Sequence, residues 1–407
     1  MRLHRAIVPL ALLFALPVQA QTPSLEEVWA IVQQQQREID ALKQQLATAE
    51  AELAEADRQI EATGDYVESL SVSTAVESAT HIGGYGEVHY NNLDADDSAN
   101  DLDQVDFHRF VLFFGHDFTD KVRFFSELEL EHSLAGDGAP GEVELEQAYV
   151  EFLLSDTLSA KTGLFLLPIG LLNETHEPPT FYGVERNSVE SVIIPSTWWE
   201  AGAALTGHND AGLSWDLALH SGLAMPTSGG SAFRVRSGRQ KVAEALASDP
   251  AVTARVGYTG IPGLSVAASV QYQSDPSQVA GDGLDSGLLF ETHAAYSVGG
   301  FSLTGLYARW EFDGTAVEAA GADTQTGWYV EPSYRIATDG RWGFYGRYED
   351  VEGARTQDQY SQWELGFNYW PIDDVVLKFD WRSRDHAVSA ESGRDFDGFD
   401  LGVGYQF

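Results

Sequence analysis

Residues Phe399 to Phe407 read FDLGVGYQF. In an extended chain successive side chains point to opposite faces, so Phe399, Leu401, Val403, Tyr405 and Phe407 share one face. Asp400, Gly402, Gly404 and Gln406 share the other. One face is apolar and the other is polar or bare. A terminal strand of this kind, ending on an aromatic with no polar tail, is expected to close a sheet rather than to trail from it.

Upstream of this stretch the same period of two recurs. Leu213, Trp215, Leu217 and Leu219 alternate with Ser214, Asp216, Ala218 and His220. Trp363, Leu365, Phe367 and Tyr369 alternate with Glu364, Gly366 and Asn368, and Val375, Leu377, Phe379 and Trp381 alternate with Lys378, Asp380 and Arg382. The pattern predicts strands at 83–92, 105–117, 120–132, 142–154, 157–168, 198–207, 212–222, 251–260, 263–273, 286–297, 300–312, 325–336, 340–350, 361–370, 374–384 and 397–407. The second, fourth and eleventh of these alternate poorly, and the sequence leaves their facing open. Tight turns are expected after every even-numbered strand before the last, among them Ser155-Asp156, Ile261-Pro262 and Ala337 to Asp339. Between them fall long polar loops, the longest being 169–197 and 223–250. Strict alternation of short turns and long loops around an even strand number predicts an all-β transmembrane barrel of about 16 antiparallel strands in a bacterial outer membrane. A β-sandwich or propeller gives no reason for that alternation. A barrel of this size leaves a lumen too wide for side chains to fill, so it is expected to conduct.

Residues 1–20 combine Arg2 and Arg5, an apolar run from Ile7 to Leu16, and Val18-Gln19-Ala20, the pattern of a secretory signal. In 21–63 the positions Leu25, Val28, Val32, Gln35, Ile39, Leu42, Leu46, Ala49, Leu53, Ala56 and Ile60 step by three and four. They predict an N-terminal periplasmic coiled-coil helix for oligomerisation, joined by a linker, 64–80, to the barrel, 81–407.

The chain is 407 residues long, 43% hydrophobic and free of cysteine, with a formal net charge of −38. That charge speaks against nucleic acid as a partner, but barrel loops and lumen can carry it in a membrane. No nucleophile is paired with a base, so no catalytic residues are expected and the chain is not read as an enzyme. His176, His208, His220 and His293 show no metal-ligand spacing, and neither metal nor cofactor is expected. Asp94, Asp96, Asp97, Asp101 and Asp103 lack the glycine and closing glutamate of a calcium loop and read as a solvated acidic loop beside lipopolysaccharide. Arg234, Arg236, Arg239 and Lys241 form a basic patch that could meet anionic lipid or guide anions.

The succession EQAYVEF, KTGLFLLPIGL and FYGVERNSVESVIIPSTWWEAGAALTG resembles the phosphate-selective porin family, as do IGGYGEVHY and FHRFVLFFGHDFTDKVRFFSELELEH. The resemblance covers 81–407 and implies a homotrimer of sixteen-stranded barrels whose third long loop, here 169–197, enters and narrows the pore. This chain lacks the family's basic pore ladder. The constriction is expected at Glu174, Glu177, Glu185, Arg186 and Glu190, where acids outnumber the single base. Facing assigns Lys121, Arg123, Glu127, Glu129, Arg335, Arg347, Lys378 and Arg382 to the lumen wall, together with Glu131, Glu144, Glu146, Glu331 and Glu364. The function expected is passive diffusion of small hydrophilic solutes or ions with a weak preference for cations. The alternatives are an anion-selective, phosphate-type porin, a barrel enzyme, and a structural tether that contacts peptidoglycan through its coiled coil.

Overall fold

The computed structural model describes residues 79–336 and 340–407, besides the single position Trp29. The signal, coiled-coil and linker expectations and the turn at 337–339 lie outside the described residues, except for the last two residues of the linker.

Sixteen strands close into one barrel in which each pairs with its neighbours in sequence and the last returns to the first. They are β1 (Thr80–Ala95), β2 (Leu102–Thr119), β3 (Val122–Glu131), β4 (Val143–Ser155), β5 (Leu158–Leu166), β6 (Trp199–His208), β7 (Leu213–His220) and β8 (Ala251–Tyr258). The circuit continues through β9 (Leu264–Gln273), β10 (Ser286–Val298), β11 (Phe301–Asp313), β12 (Thr324–Arg335), β13 (Trp342–Glu352), β14 (Gln359–Ile372), β15 (Val375–His386) and β16 (Phe396–Gln406). Closure runs from Tyr85 opposite Gln406 to Ala95 opposite Phe396, all antiparallel. Phe407 extends it with paired backbone bonds to Gly84, at 2.9 and 3.0 Å. With every edge paired, no row of backbone donors faces lipid.

The wall is inverted relative to a water-soluble protein. On β7, Leu217 and Leu219 are exposed while Asp216 and His220 are buried. On β16, Leu401 and Val403 are exposed at 44% and 43%, and Asp400 between β1 and β15 is at 0%. Outward apolar and inward polar side chains are what a lipid-facing barrel requires. Trp342 and Tyr369, centroids 4.5 Å apart, sit beside a short turn; Tyr348 and Trp363, 4.6 Å apart, sit six residues up β13. At about 3.3 Å per residue the two aromatic levels are roughly 20 Å apart along the strand, the spacing of interfacial girdles around an apolar band.

Two strands whose facing the sequence left open are broken by bulges. On β2 the register slips where Glu87 opposes Arg109 but His89 opposes Asp106. Two consecutive residues, His108 and Arg109, thereby turn inward. On β4 the slip lies between the pairs Glu127–Gln147 and Leu128–Leu145, and it turns both Glu146 and Gln147 toward the lumen. A bulge adds one residue to one strand and so reverses parity beyond it. Period-two reading has no means of seeing this.

The apolar core sits inside the barrel. Phe165, Leu167, Ile169, Val189, Ile193, Ile194 and Trp198 pack with Leu223, Met225, Phe233 and Val235 and with Trp310 and Phe312. The basic loop 223–250 is therefore folded inward on its own apolar residues, and does not reach out toward lipid as the charge pattern alone invited.

Candidate functional site in the barrel lumen

The segment 169–197 leaves β5 and crosses the lumen before returning to β6. Its apolar residues explain why it folds inward: Ile193 and Ile194 are at 0% exposure, and burying each such side chain is worth roughly 1.5–3 kcal/mol. Two glycines permit its path. Gly170, at φ +76°, faces Glu190 so closely that a Cβ would stand 2.5 Å from Oε1. Gly183, at φ +91°, passes beside Tyr345 and Arg347.

Loop backbone is held by wall side chains. Asp380 Oδ2 accepts from Val184 N at 2.7 Å, and Lys378 Nζ donates to the Gly183 carbonyl at 2.8 Å. Asn368 Nδ2 donates to Phe181 O at 3.1 Å, and Glu349 accepts from both Ser188 N and Ser188 Oγ at 2.8 Å. The segment is thus tied to β13, β14 and β15.

The five loop residues expected at the constriction have distinct environments. Glu190 is fully buried and accepts from Leu171 N at 2.6 Å, Leu172 N at 2.7 Å, Asn187 Nδ2 at 2.9 Å and Tyr329 Oη at 3.2 Å. Burial raises its pKa, the hydrogen bonds from Leu172, Asn187 and Leu171 oppose the rise, and Glu291 adds to it. It acts as an internal clamp on the loop. Glu185 reaches β1, with Oε1 3.1 Å from both His89 Nδ1 and Asn91 Nδ2. Desolvation pushes its carboxyl up, but His89, with His108 and Arg382 behind it, holds it well below the usual range. Glu174 pairs with Arg255 of β8. Glu177 is half-buried at the first turn of the segment, its carbonyl accepting from Thr180. Arg186 Nε and Nη2 are buried and without a hydrogen-bond partner.

Of the wall residues, Arg347 is buried among Glu331 at 3.0 Å, Glu364 and Glu349, and Arg382 binds Asp400. Glu127 and Glu129 face inward at 1% exposure, as do Glu146 and Glu364. Lys121, Arg123 and Arg335 are exposed at the short-turn end, Arg123 beside Asp117 and Arg335 over the ring of Trp370. The structure therefore does not place Arg335 across a gap from the loop acids, and Arg347 and Lys378 are spent on wall carboxylates and loop carbonyls.

Sequence reasoning missed other members of the site. Glu87, His89 and Asn91 lie on the wet face of β1, and their alternation with Val88 and Tyr90 would have found them. Arg109 is hidden by the β2 bulge. Arg236 and Arg239 enter from the loop 223–250, Arg236 Nη1 donating to Ser196 O at 2.7 Å and Arg239 to Thr197 O.

The family model for phosphate-selective porin O and P matches residues 82–407. An uncharacterized protein of Aquifex aeolicus (strain VF5) is 30% identical over 341 residues, 76% of this chain and 77% of the relative. Among solved structures, an anion-selective porin from Comamonas acidovorans has a TM-score of 0.58 at 13% identity, covering 81% of this chain and 100% of that one. OmpF of Salmonella typhi, solved with daunomycin, has a TM-score of 0.57 at 15% identity, covering 81% and 97%. At such identities these two likenesses concern the fold.

Proposed function

The chain belongs to the phosphate-selective porin O and P family of the bacterial outer membrane, and from that premise we propose that it passes small hydrophilic solutes or ions by diffusion, with a weak preference for cations, and catalyses no reaction. The observation that carries this reading is the segment 169–197 folded inside the barrel, tied to β1 and β15 on one side by Glu185–His89 and Lys378–Gly183 and to β8 across the lumen by Glu174–Arg255. A closed barrel narrowed by its own loop admits solutes by size and charge. The family name does not bring phosphate with it. Of the loop acids, Glu174, Glu185 and Glu190 are engaged by Arg255, by His89 and by the loop's own donors, which leaves Glu177 to the passage, and the wall cations Arg347 and Arg382 are neutralised by carboxylates. The heptads of 21–63 support association without fixing the number of chains, and the family resemblance supports a homotrimer.

A specific observation favours a second reading, anion preference: Arg186, whose buried Nε and Nη2 have no hydrogen-bond partner, belongs to one group of charges with Arg109, Arg236 and Arg239. Reversal potentials across planar bilayers under a salt gradient decide between the two. The first reading expects a small cation preference that fades at 1 M salt, where the Debye length is about 3 Å, and that weakens in Glu177→Gln. Strong anion selectivity abolished by Arg186→Gln would overturn it in favour of the second, and absence of current would overturn the channel itself.

A further inference from the structure

Glu127 of β3, Glu146 of β4 and His176 of the inward segment are far apart in the sequence and converge inside the barrel. They are 1%, 1% and 3% exposed. His176 Nε2 stands 3.4 Å from Glu127 Oε1 and 3.9 Å from Glu146 Oε2. None of these three buried atoms makes a hydrogen bond. The atoms pointing away from the centre are all engaged. Asn173 O lies 3.2 Å from His176 Nδ1, Gln147 Nε2 donates to Glu127 Oε2 at 2.7 Å, and Thr197 Oγ1 donates to Glu146 Oε1.

A carbonyl oxygen can only accept, so His176 Nδ1 carries its hydrogen and the Nε2 lone pair is aimed at two carboxylates. Lone pair against carboxylate is repulsive unless a cation lies between them. Metal-bound histidines commonly donate their other ring N–H to a carbonyl, and metal-bound carboxylates are themselves hydrogen-bonded. Both conditions are met here. We propose that His176 Nε2, Glu127 Oε1 and Glu146 Oε2 bind a divalent transition cation, zinc being the probe of choice, and so staple the inward segment to β3 and β4. With metal–ligand distances of about 2.0–2.2 Å, tetrahedral ligands stand roughly 3.3–3.6 Å apart. The candidate donors lie within 4.8 Å of one another, so a small contraction suffices. One nitrogen with two carboxylate oxygens suits zinc, manganese or ferrous iron better than calcium. The β4 bulge builds the site: it turns Glu146 inward as a ligand and Gln147 inward as the buttress of Glu127.

Two other histidine clusters among the described residues share His108: in His89–His108–Glu185 both ring nitrogens of His89 already meet carboxylates, Glu185 Oε1 and Glu87 Oε2, at 3.1 Å each, and Asp106–His108–His132 is organised differently again. There both Nδ1 atoms already meet Asp106 Oδ2, at 3.0 and 2.7 Å, and the group is only half-buried. A proton, on His176 or shared between Glu146 and its neighbour Glu129, is the competing occupant of the buried triad, and the test must separate proton from metal.

Full-length folded protein in detergent, stripped with chelator and dialysed, is titrated calorimetrically with zinc, and its zinc coordination is read by X-ray absorption. The proposal expects one zinc per chain, a single imidazole among the ligands, loss of binding in His176→Gln, roughly tenfold or greater weakening in Thr197→Val, and unchanged binding in His132→Gln. Heat-modifiable migration on gels reports that each variant is folded. Should His176→Gln not fold, the imidazole count in the wild type still decides. Absence of zinc uptake, uptake that survives in folded His176→Gln, or two imidazoles bound, as His108 and His132 would supply, would each overturn it.

Discussion

Glu185 shows how a single side chain in this lumen is set by its partners. Its carboxylate is 3.1 Å from His89 and from Asn91, and that company outweighs desolvation, holding its pKa well below the ordinary glutamate value of about 4.3. A group whose folded pKa is depressed contributes stability that is present above the unfolded value and lost as pH falls through the folded one. The stability difference between wild type and Glu185→Gln should therefore be constant from pH 7 down to about 4.3, and shrink only below it. Thermal unfolding of the two proteins across that range checks this; a difference that disappears already near pH 6 would contradict it. At this scale the sequence expected a constriction charge at Glu185, and the structure places His89 against it.

The elements of this barrel divide into strands that a pattern can find and a loop that needs its surroundings. Gly183 illustrates the loop. At φ +91° it occupies backbone space that costs an L-residue about 1–2 kcal/mol, and a Cβ would come within 3.2 Å of Tyr345 Oη. Gly183→Ala should leave the barrel folded but release the Gly183–Lys378 contact, so that single-channel recordings show larger or noisier current at unchanged yield of heat-modifiable protein. β16 illustrates the strands. Phe407 is 63% exposed and makes the last two backbone bonds to Gly84 of β1. It is an aromatic at the lipid boundary on the strand that closes the circuit. Phe407→Ser is expected to lower the amount of folded barrel in the membrane several-fold while the surviving channels conduct normally, as immunoblots and bilayer recordings would register. Most strand bounds were legible because lipid on one side and water on the other impose the period of two on nearly every strand. The facing of β2 and β4 was not, because one extra residue at a bulge reverses parity without any compositional mark.

For the molecule as a whole, the inverted wall makes a plain prediction. Leu217 faces outward from the middle of β7, and an arginine there should cost about 2–4 kcal/mol if the surrounding medium is hydrocarbon. Leu217→Arg measured by reversible unfolding in lipid vesicles, against the same substitution in water-exposed Leu246 of the loop 223–250, should show that cost only at position 217. Equal costs would argue against the membrane orientation of the wall. The architecture was written in the order of residues: alternation, strand number, and short turns exchanging with long loops all follow from a local rule that repeats in sequence. What happens inside the barrel was not. Arg236 and Arg239 looked like a surface patch and are turned onto the carbonyls of Ser196 and Thr197, because Phe233 and Val235 beside them are buried in a core that many distant segments build together. His176 looked solitary and meets Glu127 and Glu146 across two strands. Sequence by itself determined the wall, since each strand position answers only to lipid or water and its immediate neighbours; the contents of the lumen were decided by tertiary structure, since there each charge is fixed by groups that closure of the barrel alone brings within reach.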